Sequence, residues 1–347
     1  MSRSLPLVLT LLCFAACSGK NGGLVGGNEV NLAIWGNYLS PELQARLTQE
    51  TGIKINISNY SSNEELLAKT QAGASGYDVA VPSDYMVDIM VKQGMLQTLD
   101  KSKIPNSSGV SAEVLKQAYD PENSYSFPYA WGTAGIAVNR EVFKGKIESW
   151  KDLFTNPELK GKFSLLDDVR ESMGAALKLH GYSVNTMDDA ELAKAKATLV
   201  DARKRVKMFT SDIIDPLVNK EIAVAHAWST DALQAAERTG GKIEYILPKE
   251  GGTRSIDNIV IFKNAKHVEA AHKLINFLLS TDVNVEFVTK MRAGPVLDKT
   301  RALLPPELRE SPSLFPNPKQ LAKFERLLDL GPDTAKYERI WTELKIN

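Results

Sequence analysis

Short apolar runs alternate with segments of helical periodicity from about residue 30 onward. Runs that are continuously apolar, or that alternate apolar and polar residues, predict strands, and apolar residues four apart, such as Leu39, Leu43 and Leu47, predict amphipathic helices. Polar residues with an acid three positions later, as at Asp188, indicate helix starts. The predicted strands cover residues 30–35, 53–57, 77–81, 135–139, 163–166, 222–227 and 256–262, and the predicted helices start near residues 41, 63 and 84 and cover about 171–180, 188–206, 268–278 and 319–330.

This order of strands and helices predicts an α/β fold with a mixed, mainly parallel sheet covered by helices on both faces. The pattern restarts after about residue 134, which indicates a second α/β unit. A chain of 347 residues that is 43% hydrophobic is long enough to bury two cores. We therefore expect two lobes.

The N-terminal residues have the pattern of an export signal. Residues 5–14 form an apolar run after the single charge of Arg3, and the run is shorter than the roughly 20 residues that a bilayer requires. Two alanines followed by Cys17 resemble the bacterial lipoprotein signal, and an ordinary secretory signal cut nearby is the alternative. We expect a signal peptide over residues 1–16, lipidation of Cys17, a glycine-rich tether over residues 17–28, and a protein held on the periplasmic or extracellular face of a bacterial membrane.

Composition excludes several function classes. Lys and Arg number 42, Asp and Glu also number 42, and no basic cluster suits a nucleic-acid backbone, so we expect no nucleic-acid partner. The two cysteines, Cys13 and Cys17, precede the predicted fold, which excludes a disulfide framework, a cysteine zinc site and a thiol nucleophile. The four histidines lack metal-ligand spacing, and phosphate-loop and hydrolase motifs are missing, so we expect no metal, no cofactor and no enzyme activity.

Aromatic and acidic residues follow the predicted strands. Ligands of open α/β sheets bind at the carboxyl ends of strands, and aromatic faces with carboxylates suit an organic cation. Trp35 could instead be a core aromatic, and Asp168 and Glu171 could simply cap the following helix. Asp257 lies in an apolar run, where a carboxylate needs a partner. The candidates are Trp35, Tyr38, Ser83, Tyr85, Asp168, Glu171, Trp228 and Asp257.

Seven spaced runs, in order along the chain, resemble one protein family. The resemblance spans about residues 30–346 and is to the bacterial polyamine-binding proteins of ABC importers, the spermidine/putrescine receptors. Any one run is weak, and their agreement in order makes the resemblance specific. The runs are ETGIKI (50–55), YDVAVPSDYMVD (77–88), GMLQTLDKSK (94–103), FPYAWGTAGIAVN (127–139), LLDDVRE (165–171), LPKEGG (247–252) and KLINFLL (273–279).

The resemblance implies a two-lobe periplasmic-binding-protein type II fold that closes about a hinge. It implies lobe 1 over residues 29–133 plus 256–298, lobe 2 over residues 134–255 plus 299–347, and hinge segments near Thr133, Asp257 and Pro295. It also implies that a polyamine, spermidine or putrescine, binds between the lobes and passes to an ABC permease with its ATPase. Carried over residue by residue, the ligand contacts are the aromatic Trp35, Tyr38, Tyr85 and Trp228, the acidic Asp168, Glu171 and Asp257, and the polar Ser83 and Ser211.

The chain departs from the family at several of these positions. Ser255, beside Arg254, replaces an aromatic residue of the family, so one wall of the aromatic box is missing. Ala293 and Leu327 stand where spermidine receptors have tyrosine and glutamine, and Asn37 stands where an acid can occur. The choice between spermidine and putrescine therefore stays open. A different cationic small molecule in the same fold and a tethered polyamine sensor are the alternatives.

Overall fold

The computed structural model describes residues 28–36, 38–71 and 76–346. The predicted signal peptide, Cys17 and nearly all of the tether lie outside the described residues, as does Asn37. None of the helices in the described part of the chain is both long and apolar enough to cross a membrane.

The described residues form an α/β structure in which most predicted elements are present. The strands are β1 (Glu29–Trp35), β2 (Lys54–Tyr60), β3 (Val79–Ala80), β4 (Ser126–Asn139), β5 (Phe163–Leu165), β6 (Met208–Phe209), β7 (Val224–Trp228), β8 (Ile243–Ile246) and β9 (Arg254–Ile261). The helices are α1 (Pro41–Thr51), α2 (Asn63–Gln71), α3 (Asp84–Lys92), α4 (Trp150–Thr155), α5 (Val169–Leu179), α6 (Asp189–Arg203), α7 (Ile214–Val218), α8 (Ser229–Arg238), α9 (Val268–Leu278), α10 (Thr281–Met291), α11 (Thr300–Leu303), α12 (Pro306–Arg309), α13 (Pro318–Leu321) and α14 (Thr334–Ile346).

Local capping chemistry explains where several helices begin. The Ser40 side chain accepts a hydrogen bond from the Leu43 N–H, with Pro41 at the first helical position of α1. The Asp188 carboxylate accepts from the backbone N–H groups of Ala190 and Glu191 at the start of α6. These caps confirm the predicted starts of both helices.

The strands form one continuous, mixed sheet path. Its order is β2-β1-β3-β9-β4-β7-β5-β6, and β8 pairs with β4 beside that path. β1 is parallel to β2 and β3, and β5 is parallel to β6 and β7, whereas β3 and β4 are antiparallel to β9 and β4 is antiparallel to β7 and β8. The sheet is mixed as predicted, but its antiparallel share is larger than the strand–helix rhythm indicated.

β4 is the strand that joins the two halves of the molecule. Residues 126–133 pair with β9, and residues 134–139 pair with β7 and β8. The sequence predicted only residues 135–139 of this strand. The change of partners falls between Thr133 and Ala134, at the predicted hinge position.

The hydrophobic core divides into two groups, which we call the first lobe and the second lobe. In the first lobe, β1, β3 and β9 pack with α1, α3, α9 and α10. In the second lobe, β5 and β7 pack with α4, α5, α6, α8 and α14. Leu304, Leu308 and Leu314 pack in the first lobe, although residues 299–347 were predicted to belong to the second. The lobe boundaries therefore need that correction.

Two further predictions in the C-terminal third are wrong. The helix expected over residues 319–330 ends after Leu321, because residues 324–326 run beside the start of β9, where the Glu325 N–H donates to the Gly252 carbonyl and the Arg254 N–H donates to the Glu325 carbonyl. Pro295 lies between Ala293 and Val296, which are both buried in the first lobe. Pro295 is therefore not where the chain crosses between lobes.

Candidate functional site

A cavity of about 410 Å³ lies between the two lobes. The carboxyl ends of β1 and β7 reach it, as do the first turns of α3, α5 and α8 and the start of β9. This is the position at which open α/β sheets bind ligands. All the predicted ligand contacts line it: Trp35, Tyr38, Ser83, Tyr85, Asp168, Glu171, Ser211, Trp228 and Asp257.

Asp257 is the central acid on the first-lobe side of the cavity. Its Oδ2 accepts a hydrogen bond from the Tyr38 hydroxyl at 2.7 Å, and its Oδ1 accepts from the Ser83 hydroxyl at 2.7 Å. Ser83 stands at the N-cap of α3, but its hydroxyl serves Asp257 rather than the helix, and Asn63 donates to it at 3.1 Å. Burial raises the pKa of Asp257 to about 6, and the two hydroxyl donors oppose that rise. The predicted need for a partner is met by hydroxyls, which leaves the carboxylate without a counter-charge.

Asp168 and Glu171 form the acidic pair on the second-lobe side. Asp168 caps α5, where its Oδ1 accepts from the Glu171 N–H at 3.0 Å, so the capping interpretation of Asp168 is confirmed. Both residues line the cavity as well. The Glu171 carboxylate accepts from the Thr253 hydroxyl, and burial raises the pKa of Glu171.

Glu64 adds a third carboxylate beside this pair. It accepts a hydrogen bond from the Tyr85 hydroxyl at 2.8 Å, and its other oxygen is buried without a hydrogen-bond partner. Burial, followed by the charges of Glu64 and Glu171, raises the pKa of Asp168 well above its usual value. Carboxylates this close together attract a cation, and the raised pKa values of Asp168 and Glu171 favour their protonated forms when no cation is present.

Two more acids line the cavity and were not among the predicted contacts. Asp231 lies on the first turn of α8, three residues after Trp228, and burial followed by the charge of Asp212 raises its pKa to about 7. Asp84 follows Ser83, and burial raises its pKa to about 7 although Arg326 lies 3.8 Å away. The strand-end rule could have found both, because each lies within three residues of a predicted contact.

Aromatic rings from both lobes meet at the cavity wall. The Trp35 ring lies 4.6 Å from the Tyr60 ring and 5.8 Å from the Trp228 ring, centroid to centroid. Trp35 and Trp228 come from different lobes, so this contact bridges the cleft. Tyr60 is a further aromatic wall residue, and it was not among the predicted contacts because it lies three residues beyond the predicted end of this strand at Ile57.

The residues that differ from the family pattern lie in different parts of the structure. Ser255 and Leu327 line the cavity, as does Arg254, whereas Ala293 is buried in the core of the first lobe and does not. The Ser211 hydroxyl is buried and has no hydrogen-bond partner in the structure. Within the described residues, no group of three or more His, Cys, Asp or Glu side chains could hold a metal ion.

Comparison with known proteins assigns the chain to a family. Residues 42–316 match the family described as bacterial extracellular solute-binding protein. The chain belongs to this family. A spermidine/putrescine-binding periplasmic protein of Salmonella typhimurium is 40% identical to this solute-binding protein over 314 residues, or 90% of each chain. A putrescine/cadaverine-binding protein of Pseudomonas aeruginosa is 33% identical over the full length of both.

Solved structures agree with this assignment. A putative spermidine/putrescine ABC transporter protein from Listeria monocytogenes is 34% identical, with a TM-score of 0.87 over 92% of this solute-binding protein and 99% of the other chain. The TpPotD lipoprotein of Treponema pallidum is 30% identical, with a TM-score of 0.80 over 92% of this chain and 100% of the other. The two-lobe periplasmic-binding-protein fold predicted from the sequence is thereby confirmed.

Proposed function

We propose that this solute-binding protein captures a polyamine in the cavity between its lobes and delivers it to an ABC permease and its ATPase. The observation that carries the proposal is the charge of the cavity lining. Among the described residues, the lining contains six carboxylates and one basic side chain, Arg254. Four of the six, Asp84, Asp168, Glu171 and Asp257, are buried. Buried acids are stabilised as anions by a positive counter-charge, and a ligand with several ammonium groups supplies it.

The division of the acids between the lobes favours a ligand with separated charges. Asp257 and Asp84 belong to the first lobe, whereas Asp168, Glu171 and Asp231 belong to the second. Trp35, Tyr60 and Trp228 supply apolar and cation-attracting faces for the carbon chain between the ammonium groups. The names of the relatives, which bind spermidine, putrescine or cadaverine, support the same ligand class.

The family role supports a receptor rather than an enzyme, because the relatives are substrate-binding proteins of transporters. We further propose that lipid on Cys17 holds the protein at the periplasmic or extracellular face of a bacterial membrane, and the mass of the N-terminal peptide tests that anchor. The predicted lobes, with Leu304, Leu308 and Leu314 moved to the first, are the two bodies that close on the ligand.

Isothermal titration calorimetry tests the proposal directly. A form beginning at Ser18 is titrated with putrescine, spermidine, spermine and lysine. Saturable binding of a polyamine at micromolar concentration or below is expected. The absence of binding for all four ligands contradicts the proposed function. A charged hydrogen bond contributes about 1.5–3 kcal/mol, so Asp257→Asn or Glu171→Gln weakens binding roughly 10- to 100-fold.

Asp215→Asn is the matched control for these substitutions. Asp215 lies on α7 with a side chain 75% exposed, outside the cavity lining. The Asp215→Asn variant loses the same charge as the site variants but at a position away from the ligand. Its affinity for the polyamine is therefore expected to equal that of the unmodified protein. Equal losses in all three variants would mean that overall charge, and not the cavity, controls binding.

The alternative of a different cationic ligand has one observation in its favour. Ser255, beside Arg254, stands where the family has an aromatic residue, and it lines the cavity, so the cavity is expected to differ from that of the spermidine receptors at this point. Lysine in the titration series represents this class.

A further inference from the structure

Helix α8 of the second lobe contacts the end of helix α10 of the first lobe. The buried Gln234 side chain of α8 donates a hydrogen bond from its Nε2 to the Met291 carbonyl at 3.0 Å. Leu233 packs against the cores of both lobes. The Arg292 guanidinium donates from its Nε to Oε2 of Glu237 at 3.1 Å, and a second guanidinium nitrogen contacts Oε1 of the same carboxylate. The two lobes are therefore joined here by a two-point arginine–carboxylate pair.

Arg292 makes this contact from a backbone conformation that favours glycine. Its φ is +59°, in the left-handed region, and its N–H ends α10 by donating to the Val288 carbonyl. A residue with a side chain is strained in this region, and such strain persists only where the surrounding contacts hold it. Glycine would end the helix without strain, but it has no side chain to reach Glu237. The arginine at this place therefore provides a contact between the lobes that glycine cannot make.

Helix α8 connects this contact to the cavity. Ser229 and Asp231 in its first turn line the cavity. The Ser229 hydroxyl accepts a hydrogen bond from the Thr133 N–H, beside the point where β4 changes partners. Glu237 lies further along the helix, about 12 Å from Ser229 at a rise of about 1.5 Å per residue. A rotation of the lobes about the region of Thr133 moves Glu237 away from its partner, so the pair forms in one lobe arrangement.

That arrangement is also the one in which the cavity wall is complete. Trp35 of the first lobe and Trp228 of the second lobe are in contact across the cleft, with ring centroids 5.8 Å apart. We propose that Arg292, Glu237 and Gln234 hold the lobes in the arrangement that encloses the ligand, and thereby slow ligand release. None of the three lines the cavity. The inference rests on the proposed function, since it concerns retention of the ligand in that cavity.

The contact forms as the lobes close, so it acts on the dissociation rate of the ligand rather than on its association rate. The Glu237 side chain is 52% exposed, and an ion pair with an exposed partner contributes modestly. Loss of the pair is therefore expected to make ligand dissociation about threefold to fivefold faster, with the association rate changed less than about twofold.

Stopped-flow measurement of putrescine and spermidine binding to the lipidated full-length protein in detergent tests this inference. Glu237→Gln and Arg292→Gly are each expected to show the faster dissociation. Arg292→Gly also removes the backbone strain, so its melting temperature without ligand is expected to be no lower than that of the unmodified protein. Faster release without loss of stability separates this role from a general structural one. Glu237→Gln leaves the backbone at Arg292 unchanged and tests the ion pair alone.

Lys220→Gly is the matched control. Lys220 also has a left-handed backbone, with a φ of +63°, and its side chain forms an ion pair with Glu141 at 3.4 Å within the second lobe. Lys220→Gly is expected to relieve the same kind of strain and to leave both binding rates unchanged.

Unchanged dissociation in both Glu237→Gln and Arg292→Gly would overturn the inference and leave the proposed function intact. An equal acceleration in Lys220→Gly would overturn it as well, because that residue makes no contact between the lobes. If the unmodified protein binds none of the polyamines, the proposed function fails and this inference fails with it. The two failures are therefore distinguishable in one set of measurements.

Discussion

Asp257 holds a proton over part of the pH range in which an ordinary aspartate has lost it. Burial raises its pKa to about 6, and the unfolded chain returns it to the usual value of 3.8. The folded state therefore binds more protons than the unfolded state between about pH 4 and pH 6, and stability falls as pH rises through that interval. Without a ligand, we expect this residue to lower the free energy of unfolding by about 1–3 kcal/mol between pH 4 and pH 7.

Urea unfolding at pH 4 and at pH 7 measures this difference, and Asp257→Asn removes the contribution of Asp257. Asp215→Asn, in an exposed ion pair with Arg238, is expected to leave the pH dependence of stability unchanged. An Asp257→Asn variant with the same pH dependence as the unmodified protein would show that the carboxylate is not protonated when folded. A saturating cationic ligand is expected to reduce the loss of stability at pH 7, because it stabilises the ionised carboxylate.

The sequence could predict the identity of most site residues but not their mutual geometry. Tyr38, Ser83 and Asp257 were separate candidates, and the hydrogen bonds that join them connect residues far apart in the chain. Asp231 was missed because it lies one helical turn beyond the strand end, where a surface acid is the common case. Only the packing of α8 against the cleft brings it into the cavity lining.

Gly251 shows how one glycine shapes the connection between β8 and β9. Its φ is +88°, and a Cβ added there would lie 2.1 Å from the Lys323 carbonyl oxygen. Gly240 has a φ of +61°, and a Cβ added there would have nothing within 4 Å. Gly240 is therefore a matched control, because a substitution there strains the backbone without a steric clash. Gly240→Ala is expected to reduce stability by about 1–2 kcal/mol, the usual effect of a left-handed conformation on a side-chain-bearing residue.

Gly251→Ala is expected to reduce stability by clearly more than Gly240→Ala, because the 323–325 segment has to move away from β9. That movement breaks the hydrogen bonds of Glu325 with Gly252 and Arg254. Thermal or urea unfolding of the two variants measures the difference. Equal losses would show that the chain relaxes around Gly251 without loss of the 323–325 contact.

Strands and helices were predicted correctly where a local apolar pattern determines them. The prediction failed where hydrogen bonds to a distant part of the chain determine the conformation. The first half of β4 contains Pro128 and Gly132, which interrupt a strand pattern, and the structure accommodates the proline region with an irregularity in the pairing with β9. The helix predicted over residues 319–330 has helical spacing, but residues near Glu325 pair with the start of β9 instead. In both cases the hydrogen bonds to β9, which no local pattern encodes, decide the conformation.

At the scale of the whole molecule, the cleft acids belong to both lobes, so a ligand that binds them all draws the lobes together. β2 and β6 lie at opposite ends of the sheet path, and exposed Lys54 and Lys204 lie at or near them. A form beginning at Ser18 contains no cysteine, so Lys54→Cys and Lys204→Cys can be labelled specifically. Double electron–electron resonance is expected to show a shorter and narrower Lys54–Lys204 distance distribution with saturating putrescine. A pair at Lys54 and Lys273, both within the first lobe, is expected to show no change. If the ligand binds with full affinity and neither distance changes, the lobes do not close and the cavity is a rigid site. A rigid site would lack the conformational change by which a permease could distinguish a loaded receptor from an empty one.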